Sequence, residues 1–121
     1  MPVDSIVMTS VTVNTANIKA LVHFYKTLGL PLESKQVTLG SEIYRAQMGA
    51  IELTLFGIRS KEKSLTPPIQ LGFIVKDVAA IISKLSEVPN VTVMMEPTDM
   101  PDGKKAIVLD PDGHSVELIQ I

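Results

Sequence analysis

The sequence predicts an α+β fold built from two tandem βαβββ units, and three observations predict it. A strand-helix pattern recurs at a constant offset, the one that carries Ser10 onto Gln70. The segment that closes each half recurs as well. The composition is that of a globular domain, with 121 residues, 45% hydrophobic and 20% charged. A chain of this length fits one domain, residues 1–121, and is long enough to bury a core.

The elements follow in order. SVTVNTANIKALVHFYKTL, from Ser10, aligns without a gap on QLGFIVKDVAAIISKLSEV, from Gln70. In each copy a short apolar strand runs to a polar capping residue, Asn17 or Asp77, and then to an amphipathic helix. Ile18, Leu21, Val22, Tyr25 and Leu28 form one apolar stripe; Val78, Ile81, Ile82, Leu85 and Val88 form its counterpart. Two more strands per copy are predicted. Residues 31–38 and 41–48 flank Gly40 as a hairpin, and residues 90–96 and 104–109 flank a loop at 96–103. The closing strands AIELTLFG and SVELIQI place Glu52 and Glu117 as equivalents, at an offset slightly longer than that of the helices. The extra length of the second copy is assigned to the loop 96–103. Asp110, Pro111, Asp112 and Gly113 form a turn, because proline presets φ and glycine closes it. Residues 58–68, polar and basic and ending in two prolines, link units 1–57 and 69–121. Neither half buries enough alone, so the halves pack on each other or on a second chain. The expected result is a cup-shaped, eight-stranded mixed sheet backed by helices.

Alternation along the strands divides the side chains into two sets. Val11, Val13, Leu53, Leu55, Leu71, Phe73, Val116 and Leu118 cover the helices. The open face then carries Ser10, Thr12, Asn14, Glu52, Thr54, Phe56, Gln70 and Glu117. A solvated sheet face would be richer in lysine, so this set is the candidate site.

Charge and composition exclude several classes of function. The net charge is −2 with no basic block, which removes the electrostatic case for nucleic acid or anionic membrane. No apolar run spans a bilayer and the first residues do not read as a signal peptide, so a cytoplasmic protein is expected. The absence of cysteine removes disulfides, thiolate zinc sites and cysteine nucleophiles. His23 falls on the exposed helix face. His114 lies in the turn, out of phase with Glu117. Both read as surface or turn histidines, away from the open face.

Four segments carry a resemblance: HFYKTLGL from His23, IEL from Ile51, GFIV from Gly72 with Asp77, and DPDGHSVEL from Asp110. Together they resemble the vicinal oxygen chelate superfamily, which includes glyoxalase I, bleomycin and fosfomycin resistance proteins, extradiol dioxygenases and methylmalonyl-CoA epimerase. The resemblance implies four metal-binding positions, which match Ser10, Glu52, Gln70 and Glu117. The two carboxylates agree with a glyoxalase-like site, whereas Ser10 stands where histidine or glutamine is usual and Gln70 where histidine is usual. Glu52, Glu117 and Gln70 then suit at most a weakly held hard cation, Mg²⁺, Mn²⁺ or Ca²⁺, and no tightly bound cofactor is expected. The dioxygenase triad of two histidines and a carboxylate is missing. The first functional expectation is a small-molecule-binding protein that holds an organic ligand through Ser10, Thr12, Asn14, Thr54, Phe56 and Gln70. The alternative is a glyoxalase-like lyase or isomerase acting on a vicinal carbonyl/hydroxyl substrate, with Glu52 and Glu117 as the catalytic pair. A homodimer is the expected assembly; the linker is long enough to permit exchange of units between chains, and pairing within one chain or between chains stays open.

Overall fold

The computed structural model describes residues 6–35, 42–58 and 65–121. The first unit runs β1 (Ser10–Thr15), α1 (Ile18–Leu28), β2 (Glu33–Lys35), β3 (Ile43–Met48) and β4 (Ile51–Gly57). The second runs β5 (Gln70–Ile74), α2 (Val78–Leu85), β6 (Thr92–Met100), β7 (Gly103–Leu109) and β8 (Ser115–Gln120). Both units are βαβββ, as the repeat predicts. The Gly40 hairpin tip and linker residues 59–64 lie outside the described residues.

The eight strands form two four-stranded mixed sheets rather than one continuous sheet within the chain. Their orders are β1-β4-β3-β2 and β5-β8-β7-β6, and each first strand is parallel to its neighbour. β1 and β5 are therefore edges. Part of the β1 edge is taken by the end of the linker: Thr66 N–H donates to the Asn14 carbonyl, and Thr66 Oγ1 accepts from Asn14 N–H. Those backbone groups are satisfied locally, which leaves fewer to pair with β5.

The core lies on the helix-facing sides of the sheets and runs through both units. Val13, Leu21, Phe24, Leu53 and Leu55 join Val78, Leu85, Val108, Val116 and Leu118 in one buried cluster. Each such side chain contributes on the order of 2 kcal/mol by burial. The α1 stripe is wider than the spacing predicts, since Phe24 is fully buried as well and meets Tyr25 edge to face at 4.7 Å. α1 and α2 pack on each other, so a second face of α1 is covered.

Several local expectations are corrected. Asp77 caps α2, its Oδ1 accepting from Ala80 N–H at 3.1 Å, but the Asn17 side chain makes no cap on α1. Asn17 N–H donates to Thr15 Oγ1 instead. Residues 96–100 belong to β6, and only Pro101 and Asp102 separate it from β7. Pro97 is accommodated because the β6 register shifts between Met95 and Thr98, where a missing N–H costs no ladder bond. The extra length of the second unit instead appears in its last connection. Residues 110–114 join β7 to β8, whereas only Gly49 and Ala50 join β3 to β4.

Candidate functional site

Strand alternation puts the predicted open-face residues where they were expected. Ser10, Thr12 and Gln70 lie toward solvent at the strand edges, Asn14, Phe56, Glu52 and Glu117 are half-buried, and Thr54 is buried. Ser10 lies beside Glu52 in the β1–β4 register. The second sheet differs, because Gln70 lies beside Ser115 and Glu117 lies beside Gly72. Relative to the first strand of its unit, Glu117 is thus displaced by two positions from the place Glu52 holds, so the two glutamates are not equivalent with respect to Ser10 and Gln70. The slip lies between β5 and β8, because Gln47 opposite Glu52 and Ile107 opposite Glu117 keep the same register on the other side; a shift of two preserves alternation, so no side chain moves to the wrong face.

Each carboxylate faces a cation on the adjacent strand. Arg45 Nε lies 3.9 Å from Glu52 Oε1, and Lys105 Nζ lies 3.3 Å from Glu117 Oε2. The geometry is the same in both sheets. Arg45 stands opposite Thr54 and Lys105 opposite Ile119, each two positions beyond the glutamate. Arg45 and Lys105 are related by the same offset that carries Ser10 onto Gln70. Sequence reasoning passed over this pair. The signal that finds it is the offset that aligns the helices, carried on into β3 and β7.

The two open faces have different characters. The first sheet presents hydroxyls, amides and the Arg45–Glu52 pair. It also carries a polar cavity of about 330 Å³ lined by Pro31, Glu33, Lys35, Arg45, Gln47 and Glu52. The second presents Ile74, Ile107, Leu109 and Ile119 around the Lys105–Glu117 pair, with Ile74 71% exposed. Another cleft of about 250 Å³ lies between the units, lined by Val11, Met48, Ile51, Leu53, Leu71, Gly72 and Phe73. Apart from Gly72 its walls are helix-facing side chains, so it is a seam of the core rather than part of the open face.

The comparisons with known proteins agree with this architecture. A family model described as lactoylglutathione lyase, putative-like, N-terminal, matches residues 7–57. An antibiotic-binding protein from Streptomyces sp. CB03234 is 25% identical, with a TM-score of 0.72 over 96% of this chain and 97% of that one. A glyoxalase-related enzyme from Fulvimarina pelagi is 19% identical, with a TM-score of 0.75 over 95% and 88%. A glyoxalase/bleomycin resistance protein/dioxygenase superfamily member from Sphaerobacter thermophilus is 22% identical, with a TM-score of 0.68 over 98% and 100%. Residues 7–57 thus resemble the lactoylglutathione lyase-like family, and the chain as a whole has the fold of glyoxalase- and bleomycin resistance-related proteins. No curated protein sequence matches it significantly.

The resemblance implies a metal, and the donors of this chain can be tested against one. The positions at issue hold two carboxylates, a hydroxyl and an amide, with neither imidazole nor thiolate. Each carboxylate already has a cationic side chain beside it. Among the described residues no three His, Asp or Glu side chains are grouped as a metal site. These residues do not fit a zinc- or nickel-type centre.

The turn from Asp110, one of the segments that carries the resemblance, proves to be a clamp between units. Asp110 Oδ2 accepts from Tyr25 Oη at 2.6 Å, and Oδ1 accepts from the Asp112 and His114 backbone N–H groups at 2.9 and 3.0 Å. Burial raises the Asp110 carboxyl above its ordinary value, while these hydrogen bonds oppose the rise. Burial and the facing carboxylate push the Tyr25 hydroxyl far above its ordinary value. His114 is buried, not a surface residue, because its phase with Val116 turns it to the core. Its Nδ1 accepts from Ile69 N–H at 3.1 Å, so the ring is neutral with its proton on Nε2, which has no partner among the described residues. His23 is exposed, as the helix geometry predicts.

Proposed function

We propose that this protein binds a small organic molecule on its open sheet faces without the help of a metal. The carrying observation is the pair of repeat-related contacts, Arg45 with Glu52 and Lys105 with Glu117. In a site that holds a divalent ion, uncompensated carboxylates supply the negative charge. Two side-chain cations in that role leave the carboxylates balanced and the metal superfluous, so the site is a degraded one. Ser10, Thr12, Asn14, Thr54, Phe56 and Gln70 would orient the ligand. The likeness to an antibiotic-binding protein supports the same reading.

A homodimer belongs to the proposal. β1 and β5 end the two sheets, and Ile74 stands exposed on β5. A second copy that brings its first sheet against this chain's second would close a cup from one polar and one apolar wall. No helix among the described residues is long and apolar enough to cross a membrane; a cytoplasmic location is part of the proposal. The second reading, a glyoxalase-like lyase or isomerase using Glu52 and Glu117, is favoured by the lactoylglutathione lyase-like match.

The test is a thermal-shift screen of carbonyl metabolites and antibiotics, with and without chelator, on protein sized by light scattering. The expected result is a dimer stabilised equally by a ligand in both conditions. Stabilisation that disappears with chelator, together with turnover of a vicinal carbonyl substrate, would replace this reading with the lyase.

A further inference from the structure

The two ion pairs differ in one respect that sets a ligand class. Lys105 and Glu117 are in direct contact at 3.3 Å, and their side chains are only 25% and 31% exposed. Arg45 approaches Glu52 only through Nε, at 3.9 Å, beyond hydrogen-bond reach. That Nε is buried and has no hydrogen-bond acceptor among the described residues. A guanidinium carries five donors in a rigid fork, and leaving a buried one unpaired is costly. The side chain is nonetheless 42% exposed and lines the 330 Å³ cavity of the first sheet. Lys35 and Gln47 line the same cavity.

We infer that this cavity is a carboxylate subsite, with Arg45 as the residue that takes the acid group of the ligand. The planar fork matches a carboxylate in two parallel hydrogen bonds, one of which gives Nε the acceptor it lacks among the described residues. Lys35 adds a second positive charge, and the Gln47 amide, which donates one N–H to the Gly49 carbonyl at 2.9 Å, has a second N–H to offer. Glu33 and Glu52, in the same wall, decide between anions. They oppose a dianionic phosphate, and they can accept from a hydroxyl or amine next to the acid group. The class is therefore a hydroxy- or amino-monocarboxylate. Both cations balance a glutamate, but Lys105 is held in direct contact with Glu117, whereas Arg45 stands off from Glu52 and keeps its donors for a ligand. This inference rests on the metal-free reading above.

The test uses glycolate as probe, glycolamide as its uncharged analogue and inorganic phosphate as a dianion. Each is titrated into ¹⁵N-labelled protein while the arginine Nε–Hε signals are observed, with and without EDTA. The expected result is a saturable shift of the Arg45 signal with glycolate, at least ten-fold weaker binding of glycolamide and of phosphate, and no effect of EDTA. Arg45→Gln and Arg45→Lys should each weaken glycolate at least ten-fold by the backbone amide shifts, whereas Lys19→Gln, on the exposed face of α1, should leave it unchanged. Backbone spectra of all variants establish that they fold. Glycolate binding that persists in EDTA and is unaltered in Arg45→Gln would overturn the subsite while leaving the metal-free reading in place. Failure of the wild type to bind glycolate in either condition would also overturn it. Binding abolished by EDTA would overturn the metal-free reading itself.

Discussion

Tyr25 and Asp110 show how segments that carry a family resemblance can serve the scaffold rather than the chemistry. The tyrosine belongs to α1 of the first unit and the aspartate to the turn after β7 of the second, so one hydrogen bond ties the halves together. Because burial raises the folded-state carboxyl, the stability that Asp110 contributes is fully present below its ordinary value and is lost as pH rises through the raised one. The Tyr25 hydroxyl opposes that loss by favouring the charged form. Tyr25→Phe should therefore cost about 2 kcal/mol at neutral pH, the range for a hydrogen bond to a charged group. The cost should shrink as the solution is acidified through the Asp110 range. Urea denaturation at several pH values checks this; an equal loss at acid and neutral pH would show that the carboxylate charge plays no part.

At the scale of the element, the β6–β7 hairpin carries a close backbone approach. Gly103 has φ of +138°, and a Cβ there would collide with the backbone carbonyl of Gln120 on β8. Gly49, in the β3–β4 turn, also has positive φ, +64°, but nothing lies within 4 Å of its Cβ position. Gly49→Ala should cost only about 1 kcal/mol, for the left-handed conformation. Gly103→Ala should cost more than twice as much, because β8 must also move. Thermal denaturation of the two variants makes the comparison, and similar losses would mean that the hairpin tolerates the displacement. Elements of this kind divide by how their signal is encoded. The helices were legible because the apolar stripe of Ile18 to Leu28 recurs, position for position, in Val78 to Val88. Residues 96–100 were not, because Glu, Pro, Thr and Asp read as a loop and the bulged register of β6 breaks its alternation. Asn17 and Asp77 occupy the same point of the repeat, yet only the Asp77 side chain caps its helix, a difference the shared sequence position does not reveal. The open face was legible from alternation alone. The cations on it were not, because long side chains on neighbouring strands reach glutamates two positions away, and that diagonal is set by register.

For the molecule as a whole, the architecture is two open sheets on a shared core, with the polar and apolar faces turned outward. A binding protein and a metal-dependent lyase can share this scaffold, because fold leaves function open and the side chains of the site decide it. The deciding feature is charge: two glutamates, each balanced by a cation from the chain itself. A divalent ion entering either site has to displace a cation held beside the carboxylate. Calorimetric titration of Zn²⁺ into chelator-treated protein measures this directly. The account predicts no stoichiometric uptake by the wild type, and measurable uptake once Arg45→Met and Lys105→Met are combined with Ser10→His and Gln70→His. Stoichiometric zinc held by the unmodified protein and surviving dialysis against chelator would contradict it.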